Sequence, residues 1–207
     1  VKIMVPAFDL IVIGGGAAGF YGAIQAGEMY PGMWILILEK STKLLAKVRI
    51  SGGGRCNVTH HCFDPIKLSR HYPRGEKFLR PVFKQYDATT TVAWFASKRV
   101  ELKVEDDGRM FPTTDNSQTI MDCFLREAQR LKIRIENGME VIAITRVGEA
   151  YEVHTASGRS YSAAKVFISS GGSPKPEAYS FIRDLGHTIK PPLPSLFTFN
   201  DSGKNFA

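Results

Sequence analysis

Residues 8–19 read FDLIVIGGGAAG, and this stretch decides the fold. A continuous apolar run follows Asp9 and ends on Gly14, Gly15, Gly16, Ala17, Ala18 and Gly19. Phe20, Ala23, Ile24 and Ala26 follow at helical spacing, and Pro31-Gly32 signals a turn. A second apolar run, WILIL at residues 34–38, ends at Glu39 and Lys40. Strand, glycine turn, helix and strand make a βαβ unit. The unbroken apolar runs place its strands in a parallel sheet covered on both faces.

The pattern Gly14-x-Gly16-x-x-Gly19 matches the dinucleotide-binding fingerprint, and each part has a physical role. Gly14 permits the tight turn, Gly16 lets a pyrophosphate approach the backbone, and Gly19 permits close packing of helix on strand. The helix start presents free N–H groups and a partial positive charge. Glu39 is placed to accept hydrogen bonds from ribose hydroxyls, and its charge repels a 2′-phosphate. A glycine pattern alone is weak. Here the preceding strand, following helix, second strand and acidic residue all agree. These residues leave FAD and NAD both open.

The 207 residues are 43% hydrophobic and 23% charged, an ordinary globular composition that excludes a disordered or low-complexity chain. No apolar run approaches the roughly 18 residues of a membrane helix, and no secretory signal pattern opens the chain, so a cytoplasmic protein with no membrane partner is expected. The net charge of +7 admits an anionic partner without choosing one. Three cysteines, Cys56, Cys62 and Cys123, have no framework spacing and read as reduced thiols.

Residues 40–62 read as irregular, and 64–99 as largely helical but broken by Pro65, Pro73 and Pro81. Asp106-Asp107-Gly108 predicts a hairpin between residues 100–105 and 109–111. Thr114 or Asp115 is the expected cap of a helix running to about Lys132, with Ile120, Phe124, Ala128 and Leu131 as its apolar stripe. Residues 140–146, 151–155 and 160–163 predict a β-meander, and 165–169 a separate buried strand returning to the parallel sheet. A short helix is expected at 178–185. The fold class is therefore α/β: a Rossmann-like FAD/NAD(P)-binding parallel sheet with an inserted β-meander. SLFTFN at 195–200 reads as the first strand of a new layer, which predicts a polypeptide cut short before a second domain.

Ser51-Gly52-Gly53-Gly54-Arg55-Cys56-Asn57 is a second glycine-rich loop. Consecutive glycines imply positive φ or close ligand approach. Together with GGGAAG, LEK, DDGRMFP, FISSGGSPK, LGH and PSLFTFN, this loop gives a chain that resembles, over nearly its whole length, the bacterial NAD(P)/FAD-dependent flavoproteins of the aminoacetone-oxidase-like or BaiN-like kind. The resemblance implies an FAD domain over residues 1–194 and the start of an inserted substrate-side domain at 195–207. It implies FAD as cofactor, NAD(P)H as reductant and a small organic substrate or O₂ as electron acceptor.

By position, Gly14 to Gly19 would hold the pyrophosphate and Glu39, followed by Lys40, the ribose. Ser51, Gly52, Gly53, Arg55, Cys56 and Asn57 would lie near the flavin or its ribityl chain. Val141 would meet adenine through its backbone. Gly171 and Gly172 would form the second cofactor turn, which here reads Ser-Ser-Gly-Gly where relatives usually read Ala-Thr-Gly-Gly. A chain ending at Ala207 would bind FAD weakly and not turn over, because by the same resemblance later segments complete the flavin pocket.

Other patterns carry less. Cys56, His60, His61 and Cys62 lack the paired spacing of a zinc site. Cys56 has no second cysteine at the two-residue spacing of a disulfide reductase. Lys67, Arg70, Arg74, Lys77, Arg80 and Lys84, with Tyr72 and Phe78, form a basic segment that reads as a solvated face, since no RNA-binding motif accompanies it. A small-molecule substrate is thus expected rather than a nucleic acid. A flavin- or nucleotide-dependent RNA-modifying protein and a silent nucleotide-binding fragment are the rival functions.

Overall fold

The computed structural model describes residues 7–192. Its elements are β1 (Phe8–Ile13), α1 (Ala17–Met29), β2 (Ile35–Glu39), α2 (Ala46–Gly54), β3 (Thr59–His60), α3 (Pro65–Arg70), α4 (Glu76–Phe83), α5 (Ala88–Ser97), β4 (Leu102–Val104), β5 (Arg109–Pro112), α6 (Ser117–Arg130), β6 (Arg134–Asn137), β7 (Val141–Val147), β8 (Ala150–Thr155), β9 (Ser160–Ile168) and α7 (Ser180–Arg183). A 3₁₀ turn, Pro176–Tyr179, leads into α7. None of the described helices is long and apolar enough to cross a membrane. The strand expected at 195–200 lies outside the described residues, as does the expected second domain.

The main sheet runs β6-β2-β1-β9-β8-β7. β1 lies between β2 and β9, parallel to both, with Val12 opposite Ile37 on one side and Phe167 on the other. Both faces of this parallel part are covered, which accounts for the unbroken apolar runs. Val12, Ile35 and Ile37 pack with Phe20, Ala23 and Ile24 of α1 and Cys123, Phe124 and Ala128 of α6. Ile11, Ile13, Leu36 and Leu38 pack with Val141, Ile144, Val153 and Ala163 of the meander and Phe181 of α7. A smaller sheet, β3-β5-β4, contains the expected hairpin, in which Lys103 faces Phe111.

The structure corrects several boundaries. The third meander strand and the returning parallel strand are one element. β9 pairs antiparallel with β8 through Ser160 to Ala163, then parallel with β1 through Ala163 to Ile168. β6, parallel to β2, was not anticipated, since its RIEN sequence carries two charges in four residues and lies on the sheet edge. α2 and β3 both fall in the stretch read as irregular, and Pro81, expected to break the helical stretch, lies inside α4. Asn116, not Thr114 or Asp115, caps α6, its side chain accepting from Gln118 N–H at 2.9 Å. Asp115 instead takes positive φ, and α6 stops at Arg130. Trp34 precedes β2 and is 69% exposed.

An aromatic cluster ties α1, α5 and α6 together. The Phe124 ring lies 6.0 Å from Phe20, 5.7 Å from Trp94 and 5.9 Å from Phe95. Phe124→Ala is expected to destabilise the domain by about 3–5 kcal/mol through lost burial and the cavity left behind. Urea unfolding measures this, and a loss below about 1 kcal/mol would show that the cluster repacks.

Candidate functional site

The two outer glycines of the first loop are demanded by the fold. Gly14 has φ +110°, and a Cβ there would stand 2.5 Å from Ser169 O. A Cβ on Gly19 would stand 1.9 Å from Gly14 O, closer than any two non-bonded atoms can lie. Gly16 differs. Its backbone is extended (φ −91°, ψ −174°), a conformation open to any residue, and a Cβ there would meet no protein atom within 4 Å. Nothing in the protein itself requires glycine at 16. What its missing side chain leaves open is the approach to the start of α1, which has neither a side-chain cap nor an acidic residue in its first turn. Ala17 and Ala18 are exposed at that turn.

Glu39 closes the loop from below. One carboxylate oxygen accepts from Gly15 N–H at 2.7 Å and the other from Ser41 N–H at 2.8 Å. Each oxygen keeps a second lone pair. A Cβ on Gly15 would meet Leu44 at 2.9 Å and Glu39 at 3.0 Å, so this glycine too is set by packing. Lys40 is exposed beside it. Met139 N–H donates to Glu39 O at 2.9 Å, which brings the start of β7, and with it Val141, to the end of β2.

Gly171 and Gly172 sit at the end of β9. Ser169 has a structural part: its Oγ donates to Ile13 O at 2.9 Å and lies 3.2 Å from Gly14 O, joining the two turns. Gly171 has φ +75°. A third segment joins them. Leu45, at φ +55°, donates from N–H to Gly15 O at 2.9 Å, and two residues later Lys47 Nζ lies 3.3 Å from where a Gly171 Cβ would stand. Lys47 therefore brings a cation to the junction of both glycine turns. It was absent from the expected site because it sits among other cations in a stretch without periodicity. Leucine is not a residue that announces a left-handed turn.

The second loop is held by its own geometry. Ser51 is extended, Gly52 and Gly53 take φ +58° and +69°, and Cys56 N–H donates back to Ser51 O at 2.9 Å. A Cβ on Gly52 would press within 2.5 Å of the Phe111 ring, whereas one on Gly53 would meet nothing. Arg55 turns toward the small sheet. Its guanidinium stacks 4.1 Å over Phe111, pairs with Glu105 and lies 3.6 Å from Asp115. Two carboxylates thus already balance this cation, and the side chain braces the loop. Asn57 is exposed. Cys56 is 6% exposed, and burial pushes its thiol up to about 11. His60 packs on His71 at 5.5 Å and His61 on Phe63 at 4.6 Å.

A groove of about 900 Å³ lies at the opposite end of the strands, lined by Phe8, Met33, Trp34 and Leu131 among others. Open α/β sheets bind ligands outside the carboxyl ends of their strands, where the glycine turns are. The groove is therefore no part of this site.

Two outcomes follow from this geometry. Gly16→Val is expected to keep Tm within about 2 °C of the parent, as a substitution into open space does, while Gly19→Val costs more than about 3 kcal/mol by overpacking. Thermal melts followed by circular dichroism compare them, and equal losses would remove the distinction. At pH 8 roughly one Cys56 in a thousand is thiolate, from a pKa of about 11, so iodoacetamide should label Cys62 well before Cys56. Peptide mass spectrometry reads the order, and faster labelling of Cys56 would contradict its burial.

Comparison with known proteins agrees with this architecture. The chain is 29% identical over 191 residues to a 3-dehydro-bile acid delta(4,6)-reductase of Clostridium scindens, covering 89% of this chain and 46% of that protein. It is 26% identical over 203 residues to the ribosomal RNA dihydrouridine synthase of Escherichia coli, covering 93% and 48%. The chain thus spans about half the length of these curated relatives. Among solved structures, the 3-ketosteroid-delta4-(5alpha)-dehydrogenase of Rhodococcus jostii shares the fold, with a TM-score of 0.57 at 14% identity over 83% of this chain and 47% of that one. With the HI0933-like protein Rossmann domain matching residues 8–193, the chain belongs to that family.

Proposed function

We propose that this chain is the cofactor-binding part of an FAD-dependent oxidoreductase that reduces a carbon–carbon double bond conjugated with a carbonyl group. The observation that carries the cofactor assignment is the open face over Gly16, bordered by Glu39 below and Lys47 beside it. A dinucleotide has three parts to satisfy here. The exposed start of α1 and the Lys47 ammonium suit the pyrophosphate. The unused lone pairs of Glu39 suit the ribose hydroxyls. The backbone at Val141, carried to the end of β2, suits the adenine.

The choice of chemistry draws on the relatives' names. A 3-dehydro bile acid with delta(4,6) unsaturation has double bonds in conjugation with its 3-oxo group. Uridine, the precursor implied by a dihydrouridine synthase, has a C5–C6 double bond conjugated with its C4 carbonyl. The carbonyl polarises the alkene in both, so that a hydride adds at the β-carbon and a proton at the α-carbon. FAD, once reduced by two electrons from NAD(P)H, the proposed source, would supply the hydride in such a reduction. The chain's own share is binding and orientation. Gly52 and Gly53 expose backbone in left-handed conformations, and Arg55 holds that loop rigid through Glu105 and Phe111. The buried Cys56 thiol, neutral at physiological pH, is not assigned a chemical step.

The test begins with the pigment. Acid release from the purified full-length protein is expected to yield FAD, and finding FMN or only NAD would overturn the cofactor assignment. Gly16→Val should then weaken FAD binding by about 100-fold or more, because its side chain fills the pyrophosphate approach while the fold persists. Lys47→Ala should weaken it by about 10-fold, as expected for one partly screened ion pair. For the full-length protein, NAD(P)H consumption that rises on adding a 3-oxo-delta-4 steroid or a uridine-containing RNA supports the reaction class. Consumption indifferent to every conjugated alkene, with FAD bound, would overturn the reaction class alone.

A further inference from the structure

The basic segment at 67–84 folds as two helices, α3 and α4, with Pro73 and Gly75 in the turn between them. They pack against each other, with the Tyr72 and Phe83 rings 5.6 Å apart. α4 has no buried residue. Its outward side carries Phe78 at 77% exposure and, one turn on, Val82 at 43%. Lys77 and Lys84 flank this pair, and Lys67, Arg70 and Arg74 are exposed on the adjoining helix and turn. Within residues 65–86 the one carboxylate is Glu76, paired with Arg80. Asp64 and Asp87 bound the segment, and Asp64, which caps α3, also feels the charges of Lys67 and Arg70. Among the described residues the other five cations make no ion pair. The folded hairpin therefore concentrates positive charge around projecting aromatic rings, which a helical reading broken by prolines did not convey.

Position adds a second observation. β3 follows directly on the second glycine loop, and the His60 ring of β3 lies 5.5 Å from that of His71, the residue ending α3. The hairpin is thus anchored next to the loop assigned above to the flavin side. The alignments to the two ribosomal RNA dihydrouridine synthases, of Escherichia coli and Haemophilus influenzae, cover 93% and 94% of this chain.

We propose that the α3–α4 hairpin is a docking face for single-stranded RNA, with Arg70, Arg74, Lys77 and Lys84 on phosphates and Phe78 as a base-stacking platform. Single strands are bound in this manner, by cations along the backbone and aromatic rings under successive bases. A lipid surface suits the face less well. Interfacial helices bury a broad apolar side, whereas α4 offers two large exposed apolar side chains, Phe78 and Val82, in eight residues, flanked by lysines. Docking here deepens the proposed function by naming the polymer that carries a reducible uracil, and it rests on that function only for what happens after binding.

Fluorescence anisotropy with a dye-labelled, uridine-rich single-stranded RNA, titrated into the FAD-loaded protein across a salt series, tests this. Lys77→Gln/Lys84→Gln is expected to weaken binding about 10-fold or more near 100 mM salt. It should also flatten the log Kd against log salt slope by about 1.4, as the loss of two phosphate contacts requires. Phe78→Ala should weaken binding by about 10-fold while leaving the slope unchanged, because stacking releases no counterions. These side chains are exposed, so the 450 nm flavin band and the circular dichroism should be those of the parent. Equal RNA affinity in parent and variants overturns the docking face, as does binding to phosphatidylserine vesicles without binding to RNA. Loss of the flavin band from the parent with RNA binding intact would overturn the redox function and leave the docking face standing.

Discussion

The rest of the structure depends on how closely α1 approaches the end of β1. Gly19 sits so near the Gly14 carbonyl that no side chain fits between them, and Gly14 in turn leaves no room beside Ser169 O. This double contact sets α1 against the sheet and places the end of β9 beside the β1–α1 turn. The Ser169 hydroxyl, donating to Ile13 O, secures the same junction from the other side. Once these three points are fixed, the strands on either side of β1 deliver Glu39 and Gly171 to one edge of the molecule. Glycine is used here for space rather than flexibility. Gly16 stands apart because no protein atom borders the space that a side chain there would take.

The parts of the fold legible from the residues were those governed by burial on both faces. β1 and β2 read correctly because every side chain between Leu10 and Ile13, or Ile35 and Leu38, meets a layer above or below the sheet. The α6 stripe was legible for the same reason, with Ile120, Phe124 and Ala128 all buried. β6 was not, because an edge strand with Arg134 and Glu136 satisfies its charges outward and shows no alternation. The fusion of the third meander strand with the returning strand was hidden as well. Its sequence alternates where it pairs with β8, turns apolar where it joins β1, and so looks like two elements.

The site was legible to a different degree. Spacing alone located the first glycine loop, since its requirements are steric and local. It could not separate the glycines that the fold needs from the one it does not. That distinction depends on Ser169, far away in the chain. Lys47 was hidden because its place is set by a left-handed Leu45 and a backbone hydrogen bond to Gly15, neither of which leaves a pattern. Arg55 was conspicuous as the single cation inside a glycine loop. Its charge is nonetheless spent on Glu105 and Asp115, and Lys103 in turn holds the Asp115 carboxyl below its usual range.

The net charge of +7 acquires meaning only after such internal pairs are removed. Lys98 and Arg130 share Glu28 and Glu127 between α1 and α6, so their charge is absorbed in joining helices. Arg134 and Arg159 meet at Glu136 on the sheet edge. Other described cations have no such partner: Lys47 at the glycine turns, five on the α3–α4 hairpin, and others spread over the surface, such as Lys43, Arg99, Lys132 and Lys165. Paired cations contribute little field beyond their neighbours, whereas an unpaired cluster raises the local potential within about a Debye length, near 10 Å at moderate salt. The hairpin set is both unpaired and close-spaced, with five in eighteen residues, so its local potential exceeds that of a cation standing singly elsewhere on the surface.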